Sequence, residues 1–349
     1  MTPDELRLAL ARYPRLSYGH TPTPLQPLER LSKRQARWPQ LWIKRDDGIG
    51  PGGGGNKGRK LEFLMADVSA QGRRKVITYG GLQSNHARMT AAACARLGLQ
   101  AHLFFFAPRP ALLQGNLLLD HLCGARLHFI PFSGGGDGSM TLAMTNRLVR
   151  LLSFCLLGPG AYFIPVGGHS LTGCLGYVDA ALELHQQVQE LGLPPARTTI
   201  VTAAGTGGTF AGLLAGLALL ESPLRVLGLD VGKLWKAFPA SVAWLTQALC
   251  RELGGSQTFT AGGLPLVEHT YAGPGYAKLT PQTTRAIRLL ARSEGIVLDP
   301  VYTGKAFAGL WDLIQQGAFG PDEHVIFLHT GGLPGLWAYA EALSAAWEE

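Results

Sequence analysis

Two lysines three residues apart, Lys57 and Lys60, follow the glycine run Gly52-Gly-Gly-Gly55 and Asn56. An amine so placed can serve as nucleophile, base or anion partner if its surroundings hold it in the required charge state. The glycines allow positive φ and a close approach of backbone to ligand. A flexible surface turn would show the same composition, since lysines are common on a solvated face. Two further clusters carry polar groups: Gly80-Gly81-Leu82-Gln83-Ser84-Asn85-His86, and Gly205-Thr206-Gly207-Gly208-Thr209.

The last cluster lies between an apolar strand-like run, Thr199–Ala203, and an apolar helix predicted to reach about Leu220. Backbone N–H groups at a helix N-terminus bind phosphate, and threonine hydroxyls add donors. A tight strand-to-helix turn that needs glycine for packing would read the same way. Phe210 stands where a dinucleotide fingerprint needs its third glycine, and no Walker loop occurs. These absences disfavour a dinucleotide or nucleoside triphosphate and leave room for a small phosphorylated cofactor. No HExxH or HxH pair suggests a metal, and no GxSxG suggests a serine hydrolase. Isolated histidines such as His121 and His185 read as helix-surface or satisfied core residues. A lysine in a glycine loop, a separate phosphate cradle and a polar Gln-Ser-Asn-His loop suit pyridoxal phosphate, whose aldehyde a lysine amine holds as a Schiff base.

The elements that must position these groups alternate. A capped helix is predicted over 2–13, then the extended Thr21-Pro22-Thr23-Pro24, a strand over 41–45, and a helix over 59–71 beyond the glycines. Strands at 75–79, 101–106, 126–130, 162–164, 199–203, 224–230 and 324–329 are predicted to alternate with helices. These helices cover 85–97, 114–123, 139–152, 175–191, about 209–220, 280–293 and 304–316, with a last one opening at Gly331-Gly332. Ser133-Gly-Gly-Gly-Asp-Gly138 reads as a loop, and 231–263 as mostly helical. Alternation of this kind implies largely parallel sheets covered on both faces. The glycine loops follow strands, so they are expected to converge on one site at the strand C-terminal ends.

The 349 residues suffice for two domains or one large α/β unit, with 46% hydrophobic and 16% charged residues. The net charge of +7 comes from scattered residues, with no basic helix or aromatic-basic motif. It therefore reads as a mildly basic enzyme surface suited to an anionic ligand rather than to nucleic acid. Five dispersed cysteines without a CxxC pair indicate neither a disulfide framework nor a zinc site. Met1-Thr2-Pro3-Asp4-Glu5 reads as a capping box rather than a signal peptide, and no apolar run reaches membrane-spanning length. A reduced, cytoplasmic protein without membrane contact is the expectation.

Three motifs resemble one family. Gly54-Gly55-Asn56-Lys57-Gly58-Arg59-Lys60-Leu61-Glu62, Gly81-Leu82-Gln83-Ser84-Asn85-His86-Ala87-Arg88 and Asp299-Pro300-Val301-Tyr302-Thr303-Gly304-Lys305 carry the likeness. They resemble the D-cysteine desulfhydrase and 1-aminocyclopropane-1-carboxylate (ACC) deaminase family, pyridoxal-phosphate enzymes of the tryptophan synthase β fold. The resemblance runs from about Leu16 to Trp337. It implies the fold type II architecture of two α/β domains, each a mostly parallel twisted sheet flanked by helices. Residues 1–58 and 176–349 would form the large cofactor-binding domain and 59–175 the small one. A homodimer is also implied.

On this resemblance Lys57 is the Schiff-base lysine, and Lys60, one helical turn on, helps hold the phosphate. Asn85 would bond the cofactor's phenolic oxygen, and Gly205, Thr206, Gly207, Gly208 and Thr209 would cradle the phosphate. Ser84, Asn85 and His86 would meet the substrate. Tyr276, in Gly273-Pro274-Gly275-Tyr276, and Tyr302 correspond to two active-site tyrosines. Thr303 stands where ACC deaminases carry a Glu facing the pyridine nitrogen, and Thr330 where they carry a Leu. Both threonines match the desulfhydrase branch; a hydroxyl cannot hold that nitrogen protonated, which makes the ring a milder electron sink. Three positions depart from the pattern. Gly58 replaces Thr and is expected to loosen the loop beside Lys57; Met89 replaces Gln; and His169-Ser170 replace Ser-Asn, which would reshape the substrate pocket.

The expected activity is α,β-elimination on a small D-amino acid, D-cysteine first, giving pyruvate, hydrogen sulfide and ammonia. Lys57, with Ser84 or Tyr276 as relay, would take the α-proton, which requires a neutral amine favoured by burial and by nearby Lys60. The alternatives are an ACC deaminase, an L-cysteate sulfo-lyase, and a non-catalytic carrier or regulator that binds pyridoxal phosphate.

Overall fold

The computed structural model describes residues 1–131 and 139–345, so the loop expected at Ser133–Gly138 lies outside the described residues. In chain order the strands are β1 (Leu25–Pro27), β2 (Gln40–Lys44), β3 (Lys75–Gly80), β4 (Gln100–Phe105) and β5 (Arg126–Phe129). They continue with β6 (Tyr162–Phe163), β7 (Thr198–Ala204), β8 (Arg225–Asp230), β9 (Leu266–Val267) and β10 (His324–Leu328). The helices are α1 (Pro3–Ala11), α2 (Glu29–Ser32), α3 (Lys57–Ala70), α4 (Asn85–Arg96), α5 (Asn116–Leu122), α6 (Leu142–Leu157) and α7 (Leu171–Glu190). After these come α8 (Gly208–Leu219), α9 (Phe238–Glu252), α10 (Pro281–Glu294), α11 (Thr303–Gln315), α12 (Leu333–Leu336) and α13 (Ala340–Ser344).

Two sheets form. One has six strands in the order β1-β2-β10-β7-β8-β9, parallel except for the antiparallel β1–β2 pair. The other has four parallel strands, β5-β4-β3-β6. The central strands β7 and β10 are buried and apolar, as strands covered on both faces must be. One buried cluster packs α1, α7, α8 and α9 on one face of the larger sheet, and a second packs α10 and α11 on the other. A third lies between α3, α4 and the smaller sheet.

The predicted alternation therefore stands, with three local differences. The 231–263 stretch is α-helical over Phe238–Glu252, with one 3-10 turn at Ala261–Gly263. The Pro-punctuated segment leads into the edge strand β1, and α2 is a short helix without a side-chain cap that periodicity could not reveal. The capping box holds: Thr2 Oγ1 accepts from Glu5 N at 3.2 Å, and Thr2 N donates to Glu5 Oε2 at 2.8 Å.

A buried ionic cluster seats α3. The Arg59 guanidinium donates to both oxygens of Asp46 at 2.8 and 2.9 Å, and to Glu183 on α7 at 2.9 and 3.0 Å. Lys44, at the end of β2, donates to Glu183, and Tyr177 Oη donates to Asp46 Oδ2 at 2.7 Å. Arg59 and Asp46 are fully buried. Breaking one partner of such a cluster strands a buried charge. The orientation of α3, which begins with Lys57, is thereby tied to both β2 and α7. No helix among the described residues is long and apolar enough to cross a membrane, and all five cysteines are free.

Candidate active site

A cleft enclosing about 990 Å³, its open mouth included, lies at the strand C-terminal ends, where open α/β sheets collect ligands. Each wall follows from the topology. Gly80 ends β3 and Gly81, Ser84, Asn85 and His86 follow it, Phe106 comes after β4, and Val166 and Gly167 after β6. From the larger sheet come Gly205–Thr209 after β7, Leu234 and Trp235 after β8, and Thr330 after β10. Tyr276 and Tyr302 close a side, while Asn56 and Lys57 enter from the start of α3. The expected convergence is complete for these loops.

Lys57 is half-buried at the cleft. Its amine is held well below the ordinary lysine range, first by loss of solvent and then by the charge of Lys60. Lys60 does not line the cleft; it is buried behind it, with Nζ donating to Gly167 O at 3.1 Å. Burial lowers its pKa too.

The turn from β7 into α8 is built for an anion. Gly207 takes φ +79 as the N-cap, and no side chain caps the helix. The first N–H groups of α8 thus lack an intrahelical partner. A Cβ on Gly208 would lie 2.7 Å from Lys60 Nζ and 2.9 Å from Cys174 Sγ, so a side chain there would displace the lysine amine that sits behind the turn. Asn56 Nδ2 donates to Thr209 Oγ1 at 2.9 Å, joining the lysine loop to this turn. Asn56 N also donates to Thr330 O at 3.0 Å.

Opposite, Ser84 is the N-cap of α4, its Oγ accepting from Ala87 N at 3.2 Å. This cap leaves the hydroxyl proton available. Asn85 Oδ1 accepts from Asn116 Nδ2 at 2.9 Å. His86 Nε2 pairs with Thr78 Oγ1 at 3.0 Å, and its buried Nδ1 has no partner among the described residues. Burial and then the Lys57 and Lys60 charges hold that imidazole neutral, its pKa well below the usual value. Tyr276 and Tyr302 share a 2.7 Å hydroxyl hydrogen bond. Both phenols have raised pKa values, chiefly through burial, so both keep their protons.

Three expectations are corrected by this geometry. Thr303 does not line the cleft: its Oγ1 donates to Asp299 Oδ1 at 2.7 Å and accepts from Asp299 N at 2.8 Å. That hydroxyl is committed to the start of α11 and turned to a local partner, so the cofactor contact expected of it is not seen. Gly58 does not loosen its loop. A Cβ there would lie 2.8 Å from both Gly50 Cα and Ile49 O, so glycine is what lets α3 pack onto the chain before it. Met89 packs against the same glycines, its Sδ 3.3 Å and Cε 2.6 Å from where Cβ atoms on Gly55 and Gly50 would lie. His169 and Ser170 do not line the cleft either; Ser170 caps α7.

Tyr79, Phe106, Leu234, Trp235 and Asn56 also line the cleft without having been singled out for a role in the sequence. The first two close strands β3 and β4, and position at a strand C-terminal end is the signal that could have found them. Leu234 and Trp235 sit in the stretch without clear periodicity.

Comparison with known proteins decides the family. The model of the pyridoxal-phosphate dependent enzyme family matches residues 16–331. The chain belongs to that family. D-cysteine desulfhydrase of Salmonella typhimurium is 39% identical over 336 residues, 95% of this chain and 97% of the relative. The crystal structure of an ACC deaminase homologue superposes with a TM-score of 0.84 at 36% identity, covering 99% of each chain. A fungal L-serine ammonia-lyase from Rhizomucor miehei, 16% identical, matches with a TM-score of 0.62 over 94% of this chain and 98% of its own, a likeness of fold. The family's fold type II architecture agrees with the two sheets. Pyridoxal phosphate also fits the residues present: an amine of lowered pKa for an aldehyde, and an uncapped glycine helix start with a buried lysine behind it for a phosphate.

Proposed function

We propose that this pyridoxal-phosphate enzyme is a lyase that eliminates thiolate from D-cysteine, with water giving pyruvate, hydrogen sulfide and ammonia. The observation that carries the reading is the pairing of Lys57, its amine pKa lowered by burial and by Lys60, with the uncapped start of α8 in one cleft. The desulfhydrase relatives supply the substrate. When bound, pyridoxal phosphate provides an electron sink that makes the α-proton of an amino acid acidic.

The chain's own residues then divide the work. Lys57 would hold the aldehyde and, once displaced by the substrate amine, take the α-proton at Nζ; only a neutral amine can do so. Gly205, Thr206, Gly207, Gly208 and Thr209 would bind the phosphate through backbone N–H groups and hydroxyls, with Lys60 adding charge from behind. Asn85 would donate to the ring oxygen. Ser84, Asn85 and His86, at the start of α4, would receive the substrate carboxylate. The Tyr276–Tyr302 pair, protonated and hydrogen-bonded, can pass a proton to a departing thiolate. Among the described residues that line the cleft none is Asp or Glu, so no carboxylate is available there to keep the ring nitrogen protonated. Thr330, which lines the cleft, would offer the ring a hydroxyl in place of a carboxylate. A milder electron sink suits a good leaving group better than the opening of a cyclopropane.

The domain division 1–58 with 176–349 and 59–175 belongs to the same reading, as do a homodimer and a cytoplasmic location. Incubation of the reconstituted enzyme with D-cysteine, with sulfide and pyruvate both measured, tests it. The expected result is equal release of both, much faster than from L-cysteine. 2-Oxobutanoate from ACC would instead identify a deaminase, and sulfite from L-cysteate a sulfo-lyase. Bound cofactor with no turnover of any would leave a carrier or regulator.

A further inference from the structure

Arg88 is fully buried on α4 and makes no hydrogen bond to a carboxylate among the described residues. Its donors go to neutral acceptors: Nε to Asn116 Oδ1 at 2.7 Å, Nη2 to Gly54 O at 2.9 Å, and Nη1 to Gly52 O. A guanidinium has no acceptor, so the Asn116 atom facing Nε must be the amide oxygen. Asn116 Nδ2 is then the donor, at 2.9 Å from both Gln83 O and Asn85 Oδ1. That bond in turn commits the Asn85 oxygen, and Nδ2 is the polar atom Asn85 has left for the cleft it lines. The side chain of Gln83 locks the same corner, its Oε1 accepting from Asn116 N at 2.9 Å and its Nε2 donating to Gln114 O at 3.1 Å.

We propose that Arg88 and Asn116 are positioning residues that fix which end of the Asn85 amide meets the cofactor. The chain of bonds is one-directional, from a group that can only donate, through one amide, to a second. The same guanidinium holds the carbonyls of the glycine loop that leads into Lys57. One side chain thereby sets both the lysine that would take the aldehyde and the amide donor for the oxygen beside it. This rests on the reading in which Asn85 donates to the ring oxygen.

Asn116→Asp separates the roles. The carboxylate keeps its bond to Arg88 but can no longer donate, so the Asn85 amide turns to donate toward it and shows the cofactor an acceptor. The readouts are the dissociation constant for pyridoxal phosphate alone, the visible absorbance of the bound cofactor, and the melting of the cofactor-free protein. The expected result is affinity weaker by about 10-fold to 100-fold, the size of one hydrogen bond to a charged oxygen, with a displaced visible band. In an Asn85→Ala background the same substitution should have little further effect, since the two act through one bond. Asn116→Ser, too short to reach Asn85, should behave alike and covers the case in which the aspartate variant does not fold.

Unchanged affinity and absorbance in a folded variant would overturn the proposal, as would an equal loss in the Asn85→Ala background. A wild-type protein that takes up no pyridoxal phosphate would instead overturn the functional reading beneath it. No substrate is used, so an error about D-cysteine leaves the test intact.

Discussion

The behaviour of Lys57 follows from its solvent more than from its identity. Desolvation and then Lys60 depress its pKa, so between that lowered value and about pH 10.5 the unfolded chain binds a proton that the folded chain does not, and below that window the full cost of the shift remains. The amine therefore opposes folding at neutral pH, and the opposition fades as pH rises toward the unfolded value. Lys57→Met should raise the stability of the cofactor-free protein at pH 7 by roughly 0.5–2 kcal/mol, the usual gain from relieving a functional compromise. The gain should vanish near pH 11, as read from urea midpoints. In activity the same position works the other way. Lys57→Ala should lower sulfide and pyruvate release by roughly 10²–10⁴-fold or more while the protein still melts cooperatively; full turnover would remove the residue from the mechanism.

Among the elements, the uncapped start of α8 and the buried seat of α3 each lead to a measurable consequence. Gly208→Ala places a methyl beside Lys60 Nζ and Cys174 Sγ, so cofactor affinity should fall by about tenfold or more, since even one lost hydrogen bond has that scale. Equilibrium dialysis measures it, and undiminished affinity would exclude the cradle. The seat of α3 governs acid stability. Asp46 and Glu183 both have depressed pKa values; burial opposes the shift, but the Arg59 charge and hydrogen bonds outweigh it. Their contribution is complete above the unfolded carboxylate values and is lost as pH falls through the lower folded ones. Urea midpoints should fall steeply below about pH 4. Asp46→Asn should cost roughly 3–5 kcal/mol at pH 7, as removal of one partner from a buried cluster does, and should flatten that acid limb.

At the scale of the molecule, the cleft takes residues from the loops that follow both sheets. A cofactor that touches both should stabilise them as a unit, by about 2.7 kcal/mol at a free concentration one hundred times its dissociation constant. Calorimetry of the protein with increasing pyridoxal phosphate should show a single transition moving upward. Two transitions of which only one moves would mean that the cofactor is held by one sheet.

The alternation of strands and helices, the glycine loops and the Lys57, Ser84–His86 and Gly205–Thr209 clusters were legible in the sequence by itself. Each depends on local chemistry: the period of apolar residues, the freedom of glycine, the order of donors along a turn. The family was legible for the same reason, being carried by short contiguous motifs. What tertiary structure decided were relations between segments distant in the chain. Thr303 sits in a motif yet bonds Asp299, because the start of α11 needs that hydroxyl. Gly58 looks like slack and is a close contact, because Gly50 and Ile49 lie against it. Ser84 doubles as a helix cap, and Phe106, Leu234 and Trp235 become walls only when β4 and β8 end beside the same cleft. Arg88, unassigned as a residue of its motif, gains its place from Asn116, which lies 28 positions away. Hydrogen bonds and excluded volume act over a few ångströms of space, and the spacing along the chain does not state which residues folding brings within that range.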